Sequence, residues 1–323
     1  MQRVDLKKRV RESFGALPKA WREAPVYLAV SAGMDSSVLA AVALELRDRL
    51  PPLCFLHVNY GLRRPDCDRE EALLRKWAGR EGLPIEVLRL KPRGKPENLQ
   101  AWARAQRFDF FRKTIKKRSK GRGTVWLAHH RRDQAETVLL RLLRGSGLRG
   151  LAGMKTQEEW EGLALFRPLL EVPHEALQLY AQNHRILFRR DRSNFTDLYL
   201  RNRVRRRILP LLRQENPSIE ETLSLTAARA GQASEALEVL AGHWLKVRGR
   251  GKRLALENLR RQPPGLQACI LEAWLKRRTG RSQSWSELLP RILAALAAGK
   301  SLELPLKGGL LKLGRRHLDW TGP

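Results

Sequence analysis

Between Val26 and Arg144 the chain repeats one pattern four times: a short apolar run, a turn, and a charged stretch long enough for several helical turns. The apolar runs are Val26–Val30, Cys54–Val58, Ile85–Leu90 and Thr124–Ala128. Each is the length of a strand and rich in β-branched and aromatic residues. The stretches after them, Ser36–Arg49, Asp66–Arg80, Asn98–Lys117 and Asp133–Arg144, read as helices. Strands that alternate with helices pair in parallel, because each helix carries the chain back across a face of the sheet. The expected fold is therefore α/β, a Rossmann-like parallel sheet with helices on both faces. Ligands of such sheets sit at the carboxyl ends of the strands. That directs attention to the loops after Val30, Val58 and Ala128.

Beyond the glycine-rich connection Gly145–Gly153 the alternation fades. Val172–His184 and Arg201–Arg213 read as helices. From about Ser218 the chain looks like a smaller, mostly helical unit, with helices over Ile219–Val247, Gly265–Arg278 and Trp285–Ala298 and a hairpin over Leu302–Leu318. Two domains are expected, 1–217 and 218–323.

Composition narrows the partner. The chain has 63 Lys plus Arg against 33 Asp plus Glu, a formal net charge of +30. Self-repulsion of that size suits a polyanionic partner, of which nucleic acid is the usual one. Two stretches carry bases without acids: Arg112–Arg122, and the run holding Arg201, Arg203, Arg205, Arg206, Arg207 and Arg213. A solvated helix face ordinarily mixes signs, so both are candidate contacts to a phosphate backbone. Cys54, Cys67 and Cys269 are the only cysteines and none are spaced Cys-x-x-Cys, which argues against a disulfide framework and a cysteine-held metal. The first ten residues are charged and no apolar run approaches a membrane span, so a cytoplasmic protein is expected.

The first loop reads Ser31-Ala32-Gly33-Met34-Asp35-Ser36-Ser37. Small and hydroxylated residues between a buried strand and a helix start form a phosphate cradle of backbone N–H groups, aided by the helix dipole. An ordinary capped helix start is the plainer reading. Asp35 would repel phosphate directly, so it reads as a Mg²⁺ ligand. Gly299-Lys300-Ser301 ends like a Walker motif, but Ala294 stands where the first glycine belongs; it reads as a helix terminus. Asp133 and Glu136 share a face at a helix start and suit an ammonium group; two helix-dipole carboxylates are the alternative. A metal bound by His129, His130 and Asp133 ranks low for want of further ligands. Arg104 and Arg107, one turn apart, suit phosphate, carboxylate or RNA.

The first loop resembles the Ser-Gly-Gly-x-Asp-Ser signature of the PP-loop ATP-pyrophosphatase superfamily. Within it, the chain is similar to the tRNA(Ile)-lysidine synthetase family. His57-Val-Asn-Tyr-Gly-Leu-Arg63, Asn98–Phe108, Leu127–Thr137, Arg144–Leu151 and Asp191-Arg-Ser-Asn194 with Arg201-Asn-Arg203 match that family's motifs in order. Ala32, Tyr60 and Gln100 depart from its usual Gly, His and Glu. The resemblance implies that ATP adenylylates the 2-carbonyl oxygen of the wobble cytidine of tRNA(Ile), and that the side-chain amine of lysine then displaces AMP. It implies ATP and Mg²⁺ as cofactors, with Ser31–Ser37 and His57 at the nucleotide and Asp35 on the metal. Asp35, Asp133, Glu136 and Arg104 would carry the chemistry; Asp133, Glu136, Arg107 and His129 would bind substrate; Arg201, Arg203, Arg205, Arg206 and Arg207 would bind RNA. It leaves room for a homodimer. A tRNA thiolase, a small-metabolite amide or amidine ligase, and a non-catalytic RNA-binding protein remain as alternatives.

Overall fold

The computed structural model describes residues 4–62, 65–91, 98–189, 199–248, 253–279, 285, 288–306 and 308–322. Arg63 and the Asp191–Asn194 motif lie outside these residues. The chain divides into two compact units, one of residues 1–140 and 153–225, the other of 141–152 and 226–323. The long helix Ile219–Arg248 begins in the first and continues in the second.

The first unit is built on a six-stranded sheet: β1 (Val26–Ala29), β2 (Leu53–Asn59), β3 (Ile85–Arg89), β4 (Thr124–Trp126), β5 (Gln157–Trp160) and β6 (Leu163–Phe166), in the order β3-β2-β1-β4-β6-β5. The pairs β3–β2, β2–β1, β1–β4 and β4–β6 are parallel, and β5 closes the edge antiparallel to β6. Side chains of β1 alternate between faces, as strand geometry requires. Val26 and Leu28 join Phe55, Trp126 and Phe166 under the helices Leu6–Gly15, Met34–Glu45, Asp66–Glu81 and His174–Asn183. Tyr27 joins Cys54, Leu56, Val125 and Leu165 under Phe108, Phe111 and Ile115 of the helix Leu99–Ser119. Both faces are covered, which is why β2 is buried along its whole length.

The hairpin β5–β6 is absent from the sequence expectation. Gln157-Glu-Glu-Trp160 is acidic and alternates too briefly to read as a strand; the turn at Glu161 and Gly162, with φ of 47° and 75°, is what folds it onto the apolar β6.

The strand order sets the site. Successive connections run from β1 outward through β2 to β3, after which β4 returns to the other side of β1. The loops after β1 and β4 therefore leave in opposite directions, opening a crevice at their carboxyl ends.

The second unit has its own core of Ala241, Leu245, Ile270, Leu271, Trp274, Leu275, Ile292 and Leu296 against a four-stranded antiparallel sheet. Its strands, β7 (Arg253–Ala255), β8 (Leu302–Leu306), β9 (Gly309–Leu313) and β10 (His317–Trp320), lie in the order β7-β10-β9-β8. The expected hairpin is thus part of a larger sheet. Gly309 is required there, since a Cβ would fall 2.6 Å from the Trp320 ring. Gly299 follows the helix Leu288–Ala297 with φ of 64°, the helix terminus the sequence suggested.

Candidate active site

The loop after β1 is pinned to the sheet before it turns. Val30 donates its N–H to Leu56 and accepts from the His57 Nδ1 at 2.9 Å. Burial keeps His57 neutral by lowering its pKa, so its proton sits on Nδ1 and the Nε2 lone pair faces inward. His57 therefore secures the strand end that carries the loop. Ala32 then takes φ of 59° while fully buried, a conformation worth about 1 kcal/mol of strain for a residue with a Cβ. Its carbonyl accepts from the Arg189 N–H at 2.9 Å. Ser36 Oγ accepts from the Ser31 N–H and donates to the Gly33 carbonyl, folding the loop over the helix start. No side chain caps the helix Met34–Glu45 at Gly33. Its first-turn N–H groups have no capping side chain and lie at the positive end of twelve aligned peptides, an arrangement suited to an anion.

Across the crevice, the loop after β4 delivers His129, His130, Asp133 and Glu136. Asp133 Oδ2 accepts from the backbone N–H of His130 at 3.1 Å, closing the start of the helix Arg131–Leu142. Glu136 is fully buried and Asp133 nearly so. Buried carboxylates need counter-charge, and here it comes from Arg201 and Arg205. Arg201 donates to Glu136 at 2.7 Å and to Asp133 at 3.2 Å; Arg205 donates to Asp133 and to Glu136, each at 3.1 Å. Asp133 and Glu136 are three apart on one helix, and Arg201 and Arg205 four apart on another, so each pair shares a face. Burial pushes the Asp133 carboxyl up, but the histidines and arginines around it win and hold it below the usual carboxylate range.

This revises the reading of the second basic run. Arg201 and Arg205 do not form an outward row: the acids that balance them lie on a different helix, where sequence proximity does not show them. Arg203, Arg206 and Arg207 also have partners. The run forms one helical stretch, Leu200–Glu215, with a π-helical segment at Val204–Ile208. Pro210 explains it, because a proline cannot donate the bond that would continue the α pattern.

His129 lies beside Arg167, Arg201 and Arg107. Arg167 donates to its Nδ1 at 3.3 Å, fixing the proton on Nε2. Burial pushes its pKa down to about 3 against the raising effect of Asp133, and Arg167, Arg201 and Arg107 lower it further. Arg167, itself buried, is anchored to Lys155 and Glu158. Arg104 stacks over Phe108 and Trp160, 4.7 and 5.5 Å from the ring centroids, and Arg107 lies over Phe108. Burial and then the neighbouring Arg107 and Arg167 lower the Arg104 pKa. Aromatic faces position these guanidiniums without neutralising them. The result is a cationic wall suited to phosphate or carboxylate.

Two site residues escaped the sequence reading. Arg167 directly follows the apolar β6, a place where a buried cation signals a partner. His174 is the first residue of the helix His174–Asn183, after Pro173. The Arg131 N–H donates to the Val172 carbonyl at 3.0 Å, which draws that helix start to the crevice. There Asp35, His130 and His174 offer ligand atoms all within 4.8 Å of one another. Of the residues in the sequence's low-ranked metal reading, His130 lies in this group, with Asp133 Oδ2 3.3 Å from its Nε2. The three cysteines lie elsewhere. Cys54 and Cys67 are buried among core residues, burial pushing the Cys54 thiol up to about 11, and Cys269 is in the second unit.

The PP-loop domain pattern matches residues 6–212. A protein named tRNA(Ile)-lysidine synthase from Francisella tularensis subsp. novicida is 32% identical over 264 residues, covering 82% of this chain and 65% of that protein. One of the same name from Pseudomonas aeruginosa is 36% identical over 274 residues, covering 79% and 60%. The chain thus spans somewhat less than two thirds of the length of these relatives. Among solved structures, the U34-tRNA thiolase NcsA from Methanococcus maripaludis, with its [4Fe-4S] cluster, is similar in fold. Its TM-score is 0.57 at 19% identity, covering 69% of this chain and 77% of that one. Among the described residues, no helix is long and apolar enough to cross a membrane.

Proposed function

This chain belongs to the PP-loop domain family, and we propose that it is an ATP-dependent ligase that joins lysine to the wobble cytidine of tRNA(Ile) with a CAU anticodon. The product would be lysidine, changing the codon read from AUG to AUA. The observation that carries this reading is the pairing, across one crevice, of an uncapped helix start with a buried acid pair held by two arginines. The first suits a phosphate group; the second suits an amino acid.

The reaction has two steps. The cytidine O2 forms a bond to the α-phosphorus of ATP while the bond to the β-phosphate oxygen breaks, releasing pyrophosphate. The lysine side-chain nitrogen then bonds to C2, the C2–O2 bond breaks, and AMP leaves. A ureido-like carbonyl is a poor electrophile, so activation precedes attack. The first-turn N–H groups after Gly33 take the pyrophosphate portion, and Ser37, whose buried hydroxyl has no other partner, adds a donor. Asp35 Oδ1 likewise lacks a hydrogen-bond partner and suits a Mg²⁺ carried in by ATP. That ion would supply neutralisation of charge on the leaving group. Arg104 and Arg107 steady phosphate oxygens. His129, with its proton on Nε2, donates to the substrate.

A zwitterionic amino acid needs anions for its ammonium groups and a cation for its carboxylate. Asp133 and Glu136 supply the first, and Arg201, about a third exposed, the second. One of the two carboxylates accepts the proton released by the attacking amine. In this reading Arg201 and Arg205 act on the amino acid. Arg203, Arg206, Arg207, the basic end of the helix Leu99–Ser119 and the second unit take the tRNA body.

The test is incubation with ATP, Mg²⁺, total tRNA and each amino acid in turn, followed by mass spectrometry of the nucleosides. Lysine addition to cytidine, with one pyrophosphate released per addition, is the expected result. Pyrophosphate release independent of tRNA would point to a small-metabolite ligase, and sulfur incorporation to a thiolase.

A further inference from the structure

Three segments distant in sequence bring nitrogen and oxygen donors to one point. Asp35 is in the first turn of the helix after β1, His130 follows β4, and His174 opens the helix His174–Asn183. His174 Nε2 lies 3.4 Å from Asp35 Oδ1, and His130 Nε2 lies 3.6 Å from Asp35 Oδ2. The two rings are tilted by 46° to each other with centroids 4.8 Å apart. These separations exceed a good hydrogen bond. They are close to the edge of a ligand tetrahedron, about 3.4 Å for donors about 2.1 Å from a metal, and one ligand atom from each of the three residues lies within 4.8 Å of the others.

The surrounding hydrogen bonds agree. Asp35 Oδ1, His130 Nδ1 and His174 Nδ1 are buried without a hydrogen-bond partner. No bond at Nδ1 fixes either ring's tautomer, so both Nε2 atoms can present a lone pair. His130 is almost wholly inaccessible, so its Nε2 cannot exchange Asp35 for bulk water. Asp133 Oδ2, 3.3 Å from His130 Nε2, adds negative charge beside the cluster.

We propose that Asp35, His130 and His174 form a binding site for a divalent cation that takes nitrogen ligands, of the Zn²⁺, Co²⁺ or Mn²⁺ type, in addition to any Mg²⁺ brought by a nucleotide. Two imidazoles with one carboxylate are a poor set for Mg²⁺, which prefers octahedral oxygen, and a good one for borderline metals. Three protein ligands leave positions open, as at metal sites that meet a substrate. The cation would sit beside the uncapped helix start, where a phosphate oxygen could complete its shell. The site stands on its own geometry and meets the ligase reading only at Asp35.

The experiment uses the full chain, stripped with a chelator and without ATP. Co²⁺ is titrated and its visible absorption followed. The expected result is an intense band that saturates at about one equivalent, is removed by about one equivalent of Zn²⁺, and withstands a large excess of Mg²⁺. His174→Ala and His130→Ala should each weaken Co²⁺ binding by at least about tenfold, while His184→Ala, at an exposed histidine outside the cluster, leaves it unchanged. Circular dichroism verifies that each variant is folded, and Asp35→Asn, which preserves shape, replaces any that is not. No saturable band, displacement by Mg²⁺ at equal concentration, or an unaltered titration in folded His174→Ala protein overturns the site. Loss of the Co²⁺ band with lysidine formation intact would remove the metal site alone. Normal Co²⁺ binding with no nucleoside product would remove the ligase alone.

Discussion

The stretch Leu200–Glu215 and the last turns of the helix Leu99–Ser119 carry the same kind of side chain at opposite edges of one sheet. In the first, Arg201 and Arg205 reach inward to Glu136 and Asp133, and Arg213 pairs with Glu220. In the second, the helix runs against the parallel strands, so its end lies at their amino edge, about 24 Å from Arg104 at 1.5 Å per residue. Arg112, Lys113 and Arg118 have carboxylate partners there. Lys116, Lys117, Lys120 and Arg122 are exposed with none among the described residues. Charge buried against charge holds a site together, whereas charge left in water is available to a partner. The same sequence signal thus covers an internal clamp and an external surface.

The largest effect is expected in the clamp. Glu136→Gln leaves two guanidiniums without their buried anion, and removing one partner of such a network costs several kcal/mol. Because both arginines are about a third exposed, a loss of about 2–4 kcal/mol is expected in urea unfolding, with lysine-dependent turnover abolished. Wild-type stability would show that the clamp is decorative and erase the comparison. Next comes the surface. Lys116→Glu, Lys117→Glu and Lys120→Glu together should leave stability within about 0.5 kcal/mol. They should weaken tRNA binding by roughly tenfold or more and flatten its salt dependence, by about one unit of log–log slope per lost phosphate contact. Arg205→Gln should do the reverse, lowering stability with the slope unchanged. An unaltered slope in the triple variant places the RNA elsewhere.

That contrast also explains what the sequence made legible. The alternation of runs was enough for a parallel sheet with helices on both faces, since strand and helix lengths and the short connections admit few other arrangements. The loops after β1 and β4 could be singled out because parallel sheets bind ligands at one edge. Ala32, which departs from the usual Gly of the resembled motif, takes φ of 59°, in the left-handed region that favours glycine. What stayed hidden was pairing across distance. Nothing local to Arg201 and Arg205 announces Glu136, and nothing local to His174 announces Asp35; strand order brings them together. The β5–β6 hairpin was missed because its acidic outer strand owes its place to β6 and not to its own propensity. The place where the chain divides was also obscured: residues 141–152 belong with the second unit, and the helix Ile219–Arg248 crosses the boundary.

A third cluster lies between the two extremes and has a pH signature. Glu71 is buried, while its partners Arg89 and Arg75 lie largely in solvent. Hydrogen bonds from Arg89, joined by Arg75 and Asn59, outweigh burial and hold its pKa at about 2 against an ordinary 4.5. A depressed carboxylate stabilises the fold fully above its unfolded pKa, and that contribution disappears as pH falls through the folded one. The stabilisation should therefore be present above about pH 4.5 and fade toward pH 2. Solvent screening around the arginines reduces it to about 1–2 kcal/mol. Glu71→Gln should lower stability by that amount at pH 7 and converge on wild type near pH 2. A constant difference across the range would show that Glu71 acts through packing and not through charge.

The smallest effect tests the comparison inside the basic helix end itself. Among the described residues, Arg118 is the one cation of its last turn with a carboxylate partner, Glu86 on β3, at 2.6 Å. Both side chains are more than a third exposed. The pair gains modest Coulomb energy in a high dielectric, loses side-chain entropy, and is screened by salt, so exposed pairs contribute about 0.2–1 kcal/mol. Arg118→Gln should therefore cost about 0.5 kcal/mol at low salt and almost nothing at 0.5 M, measured as the shift in urea midpoint. Its effect on tRNA binding should also be smaller than that of Lys117→Gln, because Glu86 already offsets the Arg118 charge. An Arg118 effect as large as that of Glu136 would mean that a partner, and not burial of the acid, decides what an ion pair contributes here.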